Sequence, residues 1–274
     1  MRGQRMLLAL SLVVVGVDEI RAADYSVETI RKENYQPPSW APTVSMFGSL
    51  GTIWTNNAYF SRDNRVSDWF GNSDLSLRLD GRLTSDLTYR FYVRSDVDAF
   101  SREKDADASA AIWGARLNRD ISGWRASAIF ENRYEFANIY GDHLFTAYDV
   151  KGAVSRDFVV NSYLVFSPFM QARYRFADRD FPEYFRVDLA LGIEARINEY
   201  WAIVSSPFFE AFWFTKGINA GRQDQIYSVS LGVKYNFTPS VALTTSIAFE
   251  ERFSNVAIRH YRNIDIGPRL QFAF

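Results

Sequence analysis

The segment Tyr261–Phe274 reads YRNIDIGPRLQFAF. From Ile264 onward every second residue is apolar: Ile264, Ile266, Pro268, Leu270, Phe272 and Phe274. Asp265, Gly267, Arg269, Gln271 and Ala273 lie between them. Successive side chains of a strand point to opposite faces. The segment therefore reads as a strand with one apolar face, one mostly polar face and an aromatic last residue. A soluble sandwich rarely ends on an exposed Phe. A strand whose apolar face meets lipid and whose polar face meets a watery lumen has this pattern.

The same pattern recurs upstream. Leu75, Leu77, Leu79 and Leu83 oppose Ser76, Arg78, Asp80 and Arg82, and Leu87, Tyr89, Phe91 and Val93 oppose Thr88, Arg90, Tyr92 and Arg94. Trp124, Ala126, Ala128 and Phe130 oppose Arg125, Ser127 and Glu131. Val241, Leu243, Thr245, Ile247 and Phe249 oppose Ala242, Thr244, Ser246, Ala248 and Glu250. Charges at every second position on so many strands do not fit a dry sandwich core. They fit a wet interior.

A coarser repeat frames these strands. Segments opening at Gly81, Gly114, Gly152, Gly192, Gly232 and Gly267 each run through a few strand residues to a polar turn or the chain end, at spacings of 33, 38, 40, 40 and 35 residues. Each unit holds one short turn and one longer polar loop, which excludes a four-strand propeller blade or a helical repeat. The unit is a hairpin. Twelve strands are expected, at 43–57, 73–83, 87–97, 108–118, 123–136, 144–155, 161–176, 184–196, 200–214, 225–236, 240–252 and 262–274. Short turns at Thr84–Asp86, Arg119–Ser122, Arg156–Val160, Ile197–Glu199 and Phe237–Pro239 alternate with long connections at 58–72, 98–107, 137–143, 177–183, 215–224 and 253–261. Such alternation is the topology of a transmembrane barrel. Pro168 and Pro207 interrupt two strands, and a wall bulge is expected there in preference to a constriction by inward Phe208, Phe212 and Phe214.

At this point the chain resembles the Gram-negative outer-membrane β-barrel superfamily, over residues 43–274. The resemblance rests on the strand–turn topology and the Phe-terminated last strand, and it identifies no subfamily. It implies an all-β, antiparallel up-and-down barrel of about twelve strands, with short periplasmic turns and longer external loops. It also implies that Leu270, Phe272 and Phe274 act as an assembly signal read by the barrel-assembly machinery, and that lipid and lipopolysaccharide surround the wall.

The termini and composition agree with this reading. Arg2 and Arg5, the apolar run Met6–Val17 and the small residues Ala22-Ala23 make residues 1–23 a secretory signal peptide. Asp18, Glu19 and Arg21 make its final region untidy. Residues 24–42, with Pro37, Pro38 and Pro42, read as a periplasmic leader. Hydrophobic residues make up 47% of the 274, yet beyond the N-terminus no run approaches the ~20 apolar residues of a spanning helix. The formal net charge of −1 gives no basic surface for nucleic acid. Absence of cysteine excludes disulfides and thiolate metal sites.

Two histidines, His143 and His260, fall in or beside long connections, and neither has a serine two residues on. That is inadequate for the serine–histidine chemistry some outer-membrane barrels perform. Asp142 beside His143 is a weak match to an Asp–His pair. Asp105, Asp107, Asp178 and Asp180 read as ordinary loop charges, and no metal or cofactor is expected.

The functional candidates are the inward charges: Arg78, Asp80, Arg90, Arg94, Asp96, Arg125, Glu131, Arg133, Glu135, Asp149, Lys151, Arg173, Arg175, Asp188, Glu194, Glu210, Glu250, Asp265 and Arg269. Such charges select solutes in a pore, or pair across strands and fill the lumen. Twelve strands fall between the filled eight-stranded barrel and the open sixteen-stranded porin, so a narrow lumen is expected. The function expected is a passive channel for small polar solutes in the outer membrane, with the loops at 58–72 and 215–224 limiting access. A closed barrel with adhesive loops and an outer-membrane lipid hydrolase are the alternatives.

Overall fold

The computed structural model describes residues 40–63, 65–178 and 182–274. The expected signal peptide and almost all of the leader lie outside them. The described chain forms strands β1 (Thr43–Thr55), β2 (Asp68–Arg82), β3 (Leu87–Phe100), β4 (Ala108–Ile121), β5 (Trp124–Ala137), β6 (His143–Ser155) and β7 (Phe158–Asn161). These are followed by β8 (Leu164–Ala177), β9 (Tyr184–Arg196), β10 (Trp201–Phe214), β11 (Gln223–Thr238), β12 (Val241–Ser254) and β13 (Tyr261–Ala273). Every pairing is antiparallel, β1 meets β13, and β6 meets β8. The sheet closes into a barrel.

The ring has twelve staves, because β7 continues β6. Ser155 pairs with Phe169 and Phe158 with Phe166, so the register is unchanged across the gap. The break falls where Pro168, which has no N–H, accepts from Arg156 N at 3.2 Å and cannot donate in return. Ser167 Oγ instead donates to the Asp157 carboxylate at 2.7 Å. The turn expected at Arg156–Val160 is therefore displaced to Ser162-Tyr163, and this hairpin extends past the end of β5. Another turn also moves: β4 runs on to Ile121, and the hairpin closes at Ser122-Gly123 with φ of 51° and 82°. Positive φ at both positions gives a turn whose twist matches the flanking strands.

The bulge expected at Pro207 is absent. β10 pairs with β11 through Pro207 and Val229 without a shift, and β10 holds one register with β9 on either side of it. Register shifts occur instead at Glu135/Phe136, Val159/Asn161 and Asn236/Thr238. Pro207 is exposed on the outer face, and, lacking an N–H, it is accommodated by omission of a ladder bond. Phe208, Phe212 and Phe214 accordingly point inward and are buried.

The outer face carries exposed Leu75, Leu77, Leu79, Phe91, Val93, Val229, Leu231 and Val233. An apolar belt this continuous marks a lipid-facing surface. Exposed Trp69, Trp113, Trp124, Tyr148, Trp201, Trp213 and Tyr227 accompany it, the residue types that favour the water–lipid boundary. Charged residues alternate with this belt and turn to the interior. Among the described residues there is no continuous apolar core; the buried apolar residues form small separate groups among the charges.

The seam between β1 and β13 is set by the last residues. Met46 and Phe274 exchange backbone hydrogen bonds at 2.7 and 2.8 Å, and Leu270 pairs with Leu50. The Phe272 ring covers Gly48, where a Cβ would lie 2.6 Å from its Cζ.

Candidate channel lumen

The interior has two unlike sectors. Along β5, β6 and β8–β11 the inward charges are packed against one another. Arg175 donates two hydrogen bonds to Asp149, both 2.7 Å, and Arg173 lies 3.8 Å from the same carboxylate. Arg186 joins Asp188 and Glu210, and Gln171 donates to Asp188 at 2.8 Å. Arg133 pairs with Glu135, and Lys151 and the Tyr92 hydroxyl both donate to Glu131. Glu194 accepts from Arg196 at 3.0 Å and from Lys234 at 2.5 Å. Aromatic rings complete the filling: the guanidinium groups of Arg186, Arg222 and Arg175 sit over Phe212, Phe214 and Tyr184, at 4.9, 4.2 and 5.3 Å from the ring centres.

These side chains share the inward face, as their alternation indicated, but apart from Arg196 and Lys234 nearer the turns they are closed off from water. Arg186 and Asp188 are 0% exposed. Of the two roles expected for the inward charges, this sector shows the pairing across strands that fills the interior. Long arginine side chains from adjacent staves reach across the interior, meet carboxylates there and exclude solvent. Buried ions are tolerated only with such partners.

Along β12, β13 and β1–β3 the interior is looser. Asp74 is 36% and Asp96 26% exposed at the side chain, and Arg78, Asp80, Arg90, Arg94, Glu250 and Asp265 are half-buried. Arg94 bridges Asp96 at 2.8 Å and Asp74 at 3.5 Å, and Arg133 reaches Asp96 at 3.3 Å, joining the two sectors. Nearer the turns, Arg90 donates to Asp80 at 2.7 Å, and Arg78 lies 3.9 Å over the Phe47 ring. Arg125 lies at the turn end of β5, 3.4 Å from Asp120, and Arg269 is buried beside the seam. Glu250 accepts from the Tyr261 hydroxyl at 2.7 Å.

A cap closes over the loop end of the looser sector. Inward Ile53, Phe70 and Phe100 form a buried group with Ala58 of the first long loop, and the Phe70 and Phe100 rings stack at 4.9 Å. Asn57, fully buried, donates to the carbonyls of Ser61 and Arg262. The Tyr59 hydroxyl donates to Glu103 of the next long loop at 2.6 Å. Burial, and then the Glu103 carboxylate, push the Tyr59 phenol above its ordinary range. Asp68 holds that second loop by accepting from the N–H groups of Arg102 and Glu103 and the Ser101 hydroxyl.

The residues weighed for catalysis are dispersed. His143 Nε2 lies 3.2 Å from the Thr146 hydroxyl and its ring packs on Tyr134 and Phe136. His260 contacts Glu251 at 3.4 Å and Phe253. Asp107 and Asp178 accept backbone N–H groups of Phe100 and Thr146, which makes them loop anchors. Asp180 lies outside the described residues.

Several lumen residues were not singled out from sequence. Asp74, Asp98, Arg116, Arg186, Asp224 and Arg252 all face inward, with Arg252 paired to Asp224 at 3.0 Å. Their signal was present in the alternation: Asp74 shares a face with Arg78, Asp98 with Asp96, and Arg252 with Glu250.

No family model matches the chain, and no curated protein sequence matches it significantly. Among solved structures, an outer membrane channel from Pseudomonas putida F1 is similar with a TM-score of 0.56 at 11% identity, covering 84% of this chain and 95% of that one. An anion-selective porin from Comamonas acidovorans gives 0.44 at 10% identity, over 85% and 100% of the two chains. LpxR from Salmonella typhimurium gives 0.47 at 12%, over 83% and 99%. At these identities the likeness concerns the fold, and the first of them, together with the twelve-stave ring, carries it. The chain has a closed antiparallel β-barrel fold similar to that of this outer membrane channel.

Proposed function

We propose that this protein is a passive outer-membrane channel for small hydrophilic solutes, and that solutes move along the looser sector of its interior. The observation that carries this reading is the accessibility of Asp74, Asp96 and the half-buried charges around them, against full burial of the charges opposite. In a narrow passage, fixed charges and water replace a solute's hydration shell and discriminate by sign and size. In this reading residues 1–23 direct export and are removed, and Leu270, Phe272 and Phe274 present the closing strand to the assembly machinery. Outer-membrane lipid and lipopolysaccharide then contact the apolar belt. In this reading His143, packed on Tyr134 and Phe136, and His260, packed on Phe253, serve no catalysis.

A second reading has its own support. The apolar cap of Ile53, Phe70 and Phe100, together with the packed sector, suits a closed barrel whose long loops bind a partner. Refolded protein in a planar bilayer separates the two. Conductance steps that scale with salt support a channel. A correctly folded barrel that gives no steps and binds through its loops supports the closed barrel. His143→Ala and His260→Ala should leave the steps unchanged, and hydrolysis of bilayer lipid by the wild-type protein would overturn both readings.

A further inference from the structure

The inward charges of the looser sector are segregated along the barrel axis. Toward the loops lie Asp74, Asp96, Asp98 and Asp265, joined by Arg94, which bridges Asp74 and Asp96. Toward the turns lie Arg78, Arg90 and Arg269, flanked by Arg116 of adjoining β4 and joined by Asp80, which binds Arg90. The first zone is net acidic and the second net basic. On β12 Glu250 faces the acidic zone and adds to it, and the inward Arg252 beyond it is paired with Asp224 of β11. On β2, Asp74 and Arg78 are four residues apart, or about 13 Å along the strand; on β3, Asp96 and Arg90 are six apart, or about 20 Å. Both separations exceed the Debye length of about 10 Å at 0.1 M salt. Each zone therefore acts on ions separately.

We infer that this passage is bipolar and rectifies ion flow. The inference rests on the channel reading above and adds a direction to it. Cations collect in the acidic loop half and anions in the arginine-rich turn half. When the loop-side compartment is positive, cations enter from the loops and anions from the turns, each into the zone that attracts it, and conductance rises. When the polarity reverses, both are drawn outward and the junction between the zones is depleted. Small ions and small charged solutes are the species sorted in this way.

The test records single-channel currents of the wild-type protein in potassium chloride at matched positive and negative voltages. At 0.1 M the two currents should differ by about twofold or more, and at 1 M, where the Debye length is about 3 Å, they should become equal. Asp98→Asn combined with Asp265→Asn should reduce the asymmetry at 0.1 M, and the salt series on unaltered protein serves if that variant does not fold. Steps with equal currents at 0.1 M would overturn the bipolar passage and leave the channel standing. Asymmetry that persists unchanged at 1 M would also overturn it, since barrel shape and not charge would then be its source. Absence of steps would overturn the channel reading itself.

Discussion

The Tyr92 ring on β3 lies in the space above Gly114 on β4, and its hydroxyl donates to Glu131 on β5. One aromatic residue thus ties three staves together. It also shows why one of the repeated glycines stands where it does. A Cβ at position 114 would lie 2.5 Å from Tyr92 Cζ and 2.8 Å from the Phe130 carbonyl oxygen, which is backbone and cannot swing away.

Gly114→Ala should therefore destabilise the barrel by about 1–3 kcal/mol, the usual cost of overpacking. The midpoint of urea unfolding in lipid vesicles measures it. Gly152, whose Cβ would meet nothing within 4 Å, supplies the control: Gly152→Ala should leave the midpoint nearly unchanged.

Arg186 neutralises Asp188 and Glu210 where all three are sealed from water. Arg186→Met should cost about 3–5 kcal/mol, because it leaves two buried carboxylates without their cation. Arg119 pairs with Asp86 at a solvent-facing turn, so Arg119→Ala should have little effect. Equal unfolding midpoints for the two variants would show that the packed sector is hydrated.

Tyr59 links the first two long loops through Glu103, and its phenol titrates above the ordinary value of 10.0. A folded-state value raised above the unfolded one means that the protonated phenol stabilises the fold below pH 10.0. That contribution is lost as pH rises through the folded value. Tyr59→Phe should remove one late-titrating phenol from the alkaline absorbance titration and lessen the loss of loop order at high pH. A titration curve unaltered except in its early portion would place Tyr59 in water.

The stacked Phe70 and Phe100 rings close the loop end of the looser sector. Phe100→Ala should raise the open probability in bilayer recordings, at a stability cost of about 3–5 kcal/mol. Unchanged gating in a folded variant would show that the cap does not limit flow.

Strand number, antiparallel order and facing were legible in the sequence, because alternation such as Leu75 to Leu83 reports the side of the wall directly. The wall bulge expected at Pro207 was wrong: proline forfeits one ladder bond on an outward position without adding a residue. β7 was missed because the effect of Pro168 depends on which residue lies across from it. The depth of burial was not legible at all. Alternation places Asp149 and Arg175 on the inner face, but only the pairing of β6 with β8 brings them together. The cap was hidden for a related reason, since Ala58 meets Phe70 and Phe100 only once the loop has folded inward.

The native chain has no cysteine, which makes thiol accessibility the most direct measurement of where water enters. Ser246 faces the looser sector and is half-buried, whereas Ala153 faces the packed sector and is 6% exposed. Ser246→Cys should react with a charged, water-soluble thiosulfonate and lose current on reaction, and Ala153→Cys should remain inert. Reaction at position 153 with none at position 246, in barrels shown to be folded, would contradict a passage along β12, β13 and β1–β3.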